Sequence, residues 1–160
     1  FDPEHAGRDD FFLGATLDVL GIGHGAERLV FQGCEFEFKF LNSRDGGRAG
    51  ISIFEAEPRS LPYRLDLLER HPEGSQAFLP LAVHPFLVVV AADLDGVPGV
   101  PRAFVTLPYQ GINLHRGTWH GVLTPLAAPG LFAVVDRIGD TVNLDEHPLD
   151  PPYVIGADPA

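Results

Sequence analysis

Along Cys34-Glu35-Phe36-Glu37-Phe38-Lys39-Phe40, apolar and charged residues alternate without exception. A period of two is that of a half-buried strand, and here it sets phenylalanine on the core face. Further runs rich in Val, Ile, Leu or Phe predict strands at Ile51 to Glu55, Tyr63 to Leu68, Phe78 to Val83 and Phe86 to Ala91, then at Phe104 to Leu107, Gly121 to Leu123 and Leu131 to Asp136. Turn residues separate these runs, with clusters at Asp45-Gly46-Gly47, Asp95-Gly96-Val97-Pro98-Gly99 and Pro129-Gly130. No long amphipathic helix is apparent. Asp9 to Leu20 reads as one short helix or a strand, and the tail after Val142 has little periodicity. Many short strands with little helix predict an all-β chain, an antiparallel sandwich or barrel.

Composition narrows the partners. A chain of 160 residues has the length of one domain. The longest run without a polar residue, Pro85 to Ala92, is far too short to span a bilayer, so a soluble chain with no membrane partner is expected. The net charge of -11 would repel a phosphate backbone, which argues against nucleic acid. The single cysteine, Cys34, excludes an intrachain disulfide, suits a reducing compartment such as the cytoplasm, and falls in register with the core phenylalanines.

Candidate chemistry concentrates in two segments. Residues 69–78, Glu-Arg-His-Pro-Glu-Gly-Ser-Gln-Ala-Phe, and 111–120, Gly-Ile-Asn-Leu-His-Arg-Gly-Thr-Trp-His, hold three of the seven histidines and the only tryptophan. Imidazole, amide and guanidinium groups beside Gly or Pro suit turns at strand ends, where side chains converge on a small ligand, and neither segment reads as core. The turn through Pro72 and Gly74 allows His71 and Gln76 to share a cavity, and an extended chain would set Asn113 and His115 on one face. In an acidic protein, Arg70 and Arg116 are candidate anchors for an anion, with an ion pair as the competing role for each. Trp119 reads as packing or as a pocket wall. His5, His24, His84 and His147 read as surface residues. Gly21-Ile22-Gly23-His24-Gly25 lacks a completed phosphate-binding pattern, and the common serine-hydrolase and zinc signatures are absent.

At these residues the sequence resembles the ureidoglycolate lyase family, also called ureidoglycolate hydrolase. The resemblance rests on the run at 69–78, Pro-Phe-Leu-Val-Val-Val at 85–90, Arg102-Ala103-Phe104, Gln110-Gly111-Ile112-Asn113 and His115-Arg116-Gly117-x-Trp119-His120. Asp136-Arg137 and Asn143 continue it, so that it covers roughly residues 47 to 145, and the first 40 residues look divergent. Leu114 stands where a tyrosine is expected. The resemblance implies one cupin-like domain over 1–160, a double-stranded β-helix, and a homodimer. It implies elimination of urea from ureidoglycolate to give glyoxylate, with His71 and His120 as acid and base and Arg70, Gln76, Asn113, His115, Arg116 and Trp119 contacting the anionic substrate. No cofactor is required by the sequence. The segment His115-x-Gly117-x-x-His120 is similar to a second cupin motif, so a divalent ion such as nickel, where one binds, would be held first by His120. An amidohydrolase that releases ammonia and a non-catalytic cupin that binds a small acid are the competing readings.

Overall fold

A computed structural model describes the backbone of residues 11–13, 26–31 and 34–39 and the whole of residues 47–156. Among these residues every regular element is a strand, and no helix occurs. The all-β expectation holds. One sheet has the order β1-β11-β6-β14-β4, built from Phe11–Leu13, Ile112–Leu114, Gln76–Pro80, Leu131–Ile138 and Arg48–Glu55. The second has the order β10-β7-β12-β5-β15, built from Arg102–Val105, Phe86–Ala91, Trp119–His120, Tyr63–Arg70 and Asp145–Ile155, with β13 (Thr124–Pro125) also paired to β7. All pairings within them are antiparallel. β2 (Ala26–Phe31) and β3 (Cys34–Lys39) form a separate hairpin, as do β8 (Asp93–Leu94) and β9 (Val97–Pro98).

The strand β7 shows how the two cores arise. Its residues Phe86, Val88 and Val90 enter a cluster with Phe78, Ile112, Leu114, Phe132 and Val134 of the other sheet, which fills the space between the layers. The alternate residues Leu87, Val89 and Ala91 point the other way and pack with Leu65, Leu68 and Trp119. Tyr63, Leu126, Leu149 and Ile155 close that second cluster. A strand buried on both faces reads as an unbroken apolar run, which is what Phe86 to Ala91 is.

Three expectations change. The predicted strand at Gly121 to Leu123 is the link between β12 and β13, and the one begun at Phe78 ends at Pro80. The aperiodic tail contains β15, the longest strand described, paired with β5 and shifted in register between Pro148 and Tyr153. Proline lacks the N–H a ladder needs, so Pro148, Pro151 and Pro152 conceal the strand pattern, yet an edge strand with an irregular stretch accommodates them. Of the Asp9 to Leu20 region only Phe11–Leu13 is described, as a strand, and the Cys34 side chain lies outside the described residues.

Candidate active site

Strand alternation builds the site. In β5 and just beyond it, Glu69 and His71 share the inward face, while Arg70 points to the opposite one. His120 of β12 lies directly across from Glu69 on one side and Val90 on the other, so these three side chains occupy one rung. Arg102 and Glu146 extend the rung at its two ends, opposite Val90 and Glu69 respectively. The facing sheet contributes Gln76, two residues before the core residue Phe78, and Asp136, two residues after Val134. Gln76 and Asp136 are hydrogen-bonded to each other. The site is thus a polar end of the inner core.

The two imidazoles meet there, with ring centroids 5.3 Å apart. His71 Nδ1 lies 2.7 Å from the Asn143 carbonyl oxygen, and His120 Nδ1 lies 3.0 Å from that of Gly121. A carbonyl oxygen only accepts, so in each neutral ring Nδ1 donates and Nε2 carries the lone pair. Both Nε2 atoms are buried without a hydrogen-bond partner, as are Gln76 Oε1 and Ser75 Oγ. Three of these atoms, the two Nε2 and Gln76 Oε1, lie at the polar end of the core, where they are costly unless a ligand satisfies them.

The surroundings also set protonation. Burial pushes His120 from its ordinary 6.5 down to about 4, an effect reinforced by nearby His71 and opposed by the bond to Gly121. Burial raises the Glu69 carboxyl; His71 opposes this and Glu146 adds to it. Burial likewise raises Asp136, against the influence of His71 and the Gln76 hydrogen bond. The cluster therefore combines imidazole lone pairs with carboxyl groups that hold their protons more tightly than usual.

One oxygen of Glu69 and one nitrogen each of His71 and His120 lie within 4.8 Å of one another. Metal–ligand distances near 2 Å place ligand atoms about 3–4 Å apart, so side-chain shifts below about 1 Å would let this trio hold a divalent ion. The donor set fits such an ion. Each histidine already donates its other N–H to a backbone carbonyl, the usual support for a ligating imidazole.

Loops fix His71 from both sides. Asn143 Oδ1 accepts from the Glu73 backbone N–H at 2.7 Å, and buried Arg137 bonds Glu73 at 3.0 Å and Thr141 at 2.9 Å. From the other side Gly117 donates to the His71 carbonyl oxygen at 2.9 Å, which seats the turn 115–118 beside it. Gly117 has φ 77, a left-handed conformation that glycine adopts without a Cβ penalty.

Of the eight residues singled out in the sequence, His71, His120 and Gln76 come together. His115 and Arg116 are exposed on the turn that caps His71. The other three face elsewhere. Ile112 and Leu114 enter the inner core, so Asn113 between them projects to the outer face of its sheet. Trp119, next to His120, belongs to the second cluster, and Arg70 lies on it with the guanidinium carbon 4.5 Å from the ring centroid. Arg70 also pairs with Asp93 at 2.6 Å and Asp145 at 2.9 Å, the ion-pair role rather than an open anion anchor. Contrary to the expectation that neither segment is core, Gln76 to Phe78, Ile112 to Leu114 and Trp119 to His120 are buried, because both segments run into strands on either side of their turns. His147, read as a surface residue, packs its ring edge-on against Trp119 at 5.9 Å. Sequence reasoning missed Glu69 and Asp136, although Glu69 opens the first segment and Asp136 lies in the resembling stretch.

These features define an antiparallel β-sandwich, consistent with a cupin-like fold, with a histidine and carboxyl site at one end of its core. The profile of the ureidoglycolate lyase family matches residues 30–156. The chain is 53% identical over 143 residues to a ureidoglycolate lyase of Rhodobacter capsulatus, covering 89% of each chain. Similar proteins of the same name occur in Chelativorans sp., 51% identical over 69% of this chain and 67% of that one, and in Rhizobium etli, 46% identical over 86% of each. The chain belongs to the ureidoglycolate lyase family.

Proposed function

We propose that this protein eliminates urea from ureidoglycolate to give glyoxylate, and that the reaction takes place at His71 and His120. The observation that carries this reading is the convergence of two unpartnered imidazole lone pairs with Glu69, Gln76 and Asp136 in a member of this family. The substrate is a carbinolamine, one carbon bearing a hydroxyl, a ureido nitrogen and a carboxylate. Collapse moves the hydroxyl proton away from oxygen as the C–N bond breaks and supplies a proton to the departing nitrogen, so substrate and products balance without water or an oxidant. His71, whose Nδ1 donates to the Asn143 carbonyl, takes the hydroxyl proton at Nε2. Asp136, whose carboxyl is held protonated more readily than usual by burial, supplies the proton to nitrogen, and Gln76 beside it bonds the ureido group. His120 is neutral at cellular pH and acts as an acceptor.

The substrate carboxylate falls to an arginine on the site side. Arg116 sits on the turn bonded to His71, and Arg102 sits on the rung of His120 and Glu69. In place of its role as a base, His71 would join Glu69 and His120 to hold a divalent cation such as nickel, since its one Nε2 lone pair serves either the proton or the ion. When bound, that ion would supply Lewis-acid polarisation of substrate oxygen. The single cysteine, with no disulfide open to it, supports a cytoplasmic setting. Exposed Ile51 and Ile53 on the edge strand β4 support a homodimer, checked by sedimentation equilibrium.

The test is direct. The protein is incubated with ureidoglycolate, with and without chelator, and urea, glyoxylate and ammonia are measured. Urea and glyoxylate in equal amounts are expected. Ammonia as the primary product would point instead to an amidohydrolase, and absence of turnover in both conditions would leave a binding protein.

A further inference from the structure

In β12 and β5 one residue enters the site and the adjacent residue faces the reverse side, and β15 continues both rows at the exposed edge of the sheet. The pairs are His120 and Trp119 in β12, Glu69 and Arg70 in β5, and Glu146 and Asp145 in β15. The site rung His120–Glu69–Glu146 therefore has a second rung behind it, Trp119–Arg70–Asp145. The second rung is tied together side chain to side chain. Arg70 Nε donates to Asp145 Oδ2 at 2.9 Å and Nη1 to Asp93 Oδ1 at 2.6 Å, and the same Asp93 oxygen accepts from Trp119 Nε1 at 2.8 Å. The guanidinium lies over the indole ring as well.

We infer that Arg70 is a positioning residue: bridging Asp93, Asp145 and Trp119 behind the sheet, it fixes the relative placement of Glu69 and His120 in front of it. Arg70 and Trp119 are covalent neighbours of the two site residues, so movement of either side chain is passed on through a single peptide unit. A planar guanidinium that serves two carboxylates and an aromatic face at once sets both distance and angle, which a lysine cannot do. The pair β12 makes with β5 needs this support, since β12 is two residues long and meets β5 at one register position, His120 against Glu69. Surface ion pairs of this exposure contribute little to stability, so the effect belongs to geometry rather than to folding energy. The inference rests on the reading of His71 and His120 as the reacting centre.

Steady-state kinetics with ureidoglycolate test it. Arg70→Leu is expected to lower kcat by about tenfold or more, the scale of misplacing reacting groups by a fraction of an ångström, while KM changes less than about twofold. Arg70→Lys should recover only part of the loss. Asp93→Asn, which keeps an acceptor for Trp119 but removes a charge from Arg70, should lower kcat in the same selective way, and it carries the test if Arg70→Leu does not fold. A raised KM with kcat preserved in Arg70→Leu would make Arg70 a substrate anchor and overturn the inference. Unchanged kcat in both Arg70→Leu and Asp93→Asn, each folded by circular dichroism, would overturn it too. His120→Ala, run alongside, separates the two readings: wild-type turnover there removes the reacting centre itself, whereas loss of turnover there with unaffected Arg70 and Asp93 variants removes only the positioning role.

Discussion

Protonation of His120 should destabilise the fold by an amount that can be worked out. The ring is buried and neutral, titrating at about 4 against an ordinary 6.5. The unfolded chain therefore binds a proton between these values that the native state refuses, so stability is present above pH 6.5 and is lost as pH falls toward 4. At about 1.4 kcal/mol per unit, the shift is worth about 3 kcal/mol, most of it lost between pH 7.5 and 4.5. Glu69 and Asp136 act in the opposite sense, because a raised carboxyl pKa favours the native state as pH falls. A difference measurement cancels them. His120→Asn cannot titrate and keeps a donor for the Gly121 carbonyl, so urea unfolding of both proteins at pH 7.5 and 4.5, with chelator present, isolates the histidine. The wild type should lose about 2–3 kcal/mol more than the variant on acidification. Equal losses would show that His120 is hydrated in the native state, and the argument for a buried neutral acceptor would fail.

Three further outcomes are expected. Asp136→Asn should lower kcat at least about tenfold with little change in thermal midpoint, since it removes the acid but keeps a hydrogen bond to Gln76; undiminished kcat would assign the acid elsewhere. Replacing Arg116 or Arg102 by Leu should raise KM, and the larger rise identifies the carboxylate anchor; two unchanged constants would exclude both. Arg137→Met should cost about 1–3 kcal/mol in urea unfolding, because it removes the buried guanidinium that ties Glu73 to Thr141 and loosens the loop that carries Asn143 from the His71 turn. A loss below about 0.5 kcal/mol would mean that those loops hold themselves.

Local pattern made much of this molecule readable. The alternation in Cys34 to Lys39 and the apolar run Phe86 to Ala91 each correspond to a strand, since period and burial are local properties of the chain. The proline-bearing β15 was not readable, because its pairing with β5 overrides a composition that disfavours strands. At the site, His71, Gln76 and His120 followed from their residue types and turn positions. Asn113, Arg70 and Trp119 have the same polar or aromatic character, and only the pleat decides which face each takes. That parity is fixed by cross-strand register, which joins His120 to Glu69 across 51 positions of sequence and leaves no local trace. The same missing register hid Glu69 and Asp136, whose importance comes from what they face.

The back-to-back setting of Trp119 and His120 makes this enzyme sensitive to the pairing register of β12. A slip of β12 by one residue against β7 and β5 would exchange the indole and imidazole, forcing the bulkiest side chain of the chain between the sheets and a histidine into the apolar cluster behind them. Length variation in the turn before it is therefore expected to be absorbed by the turn, whereas a change that shifts the pairing of β12 by one residue would remove fold and chemistry together.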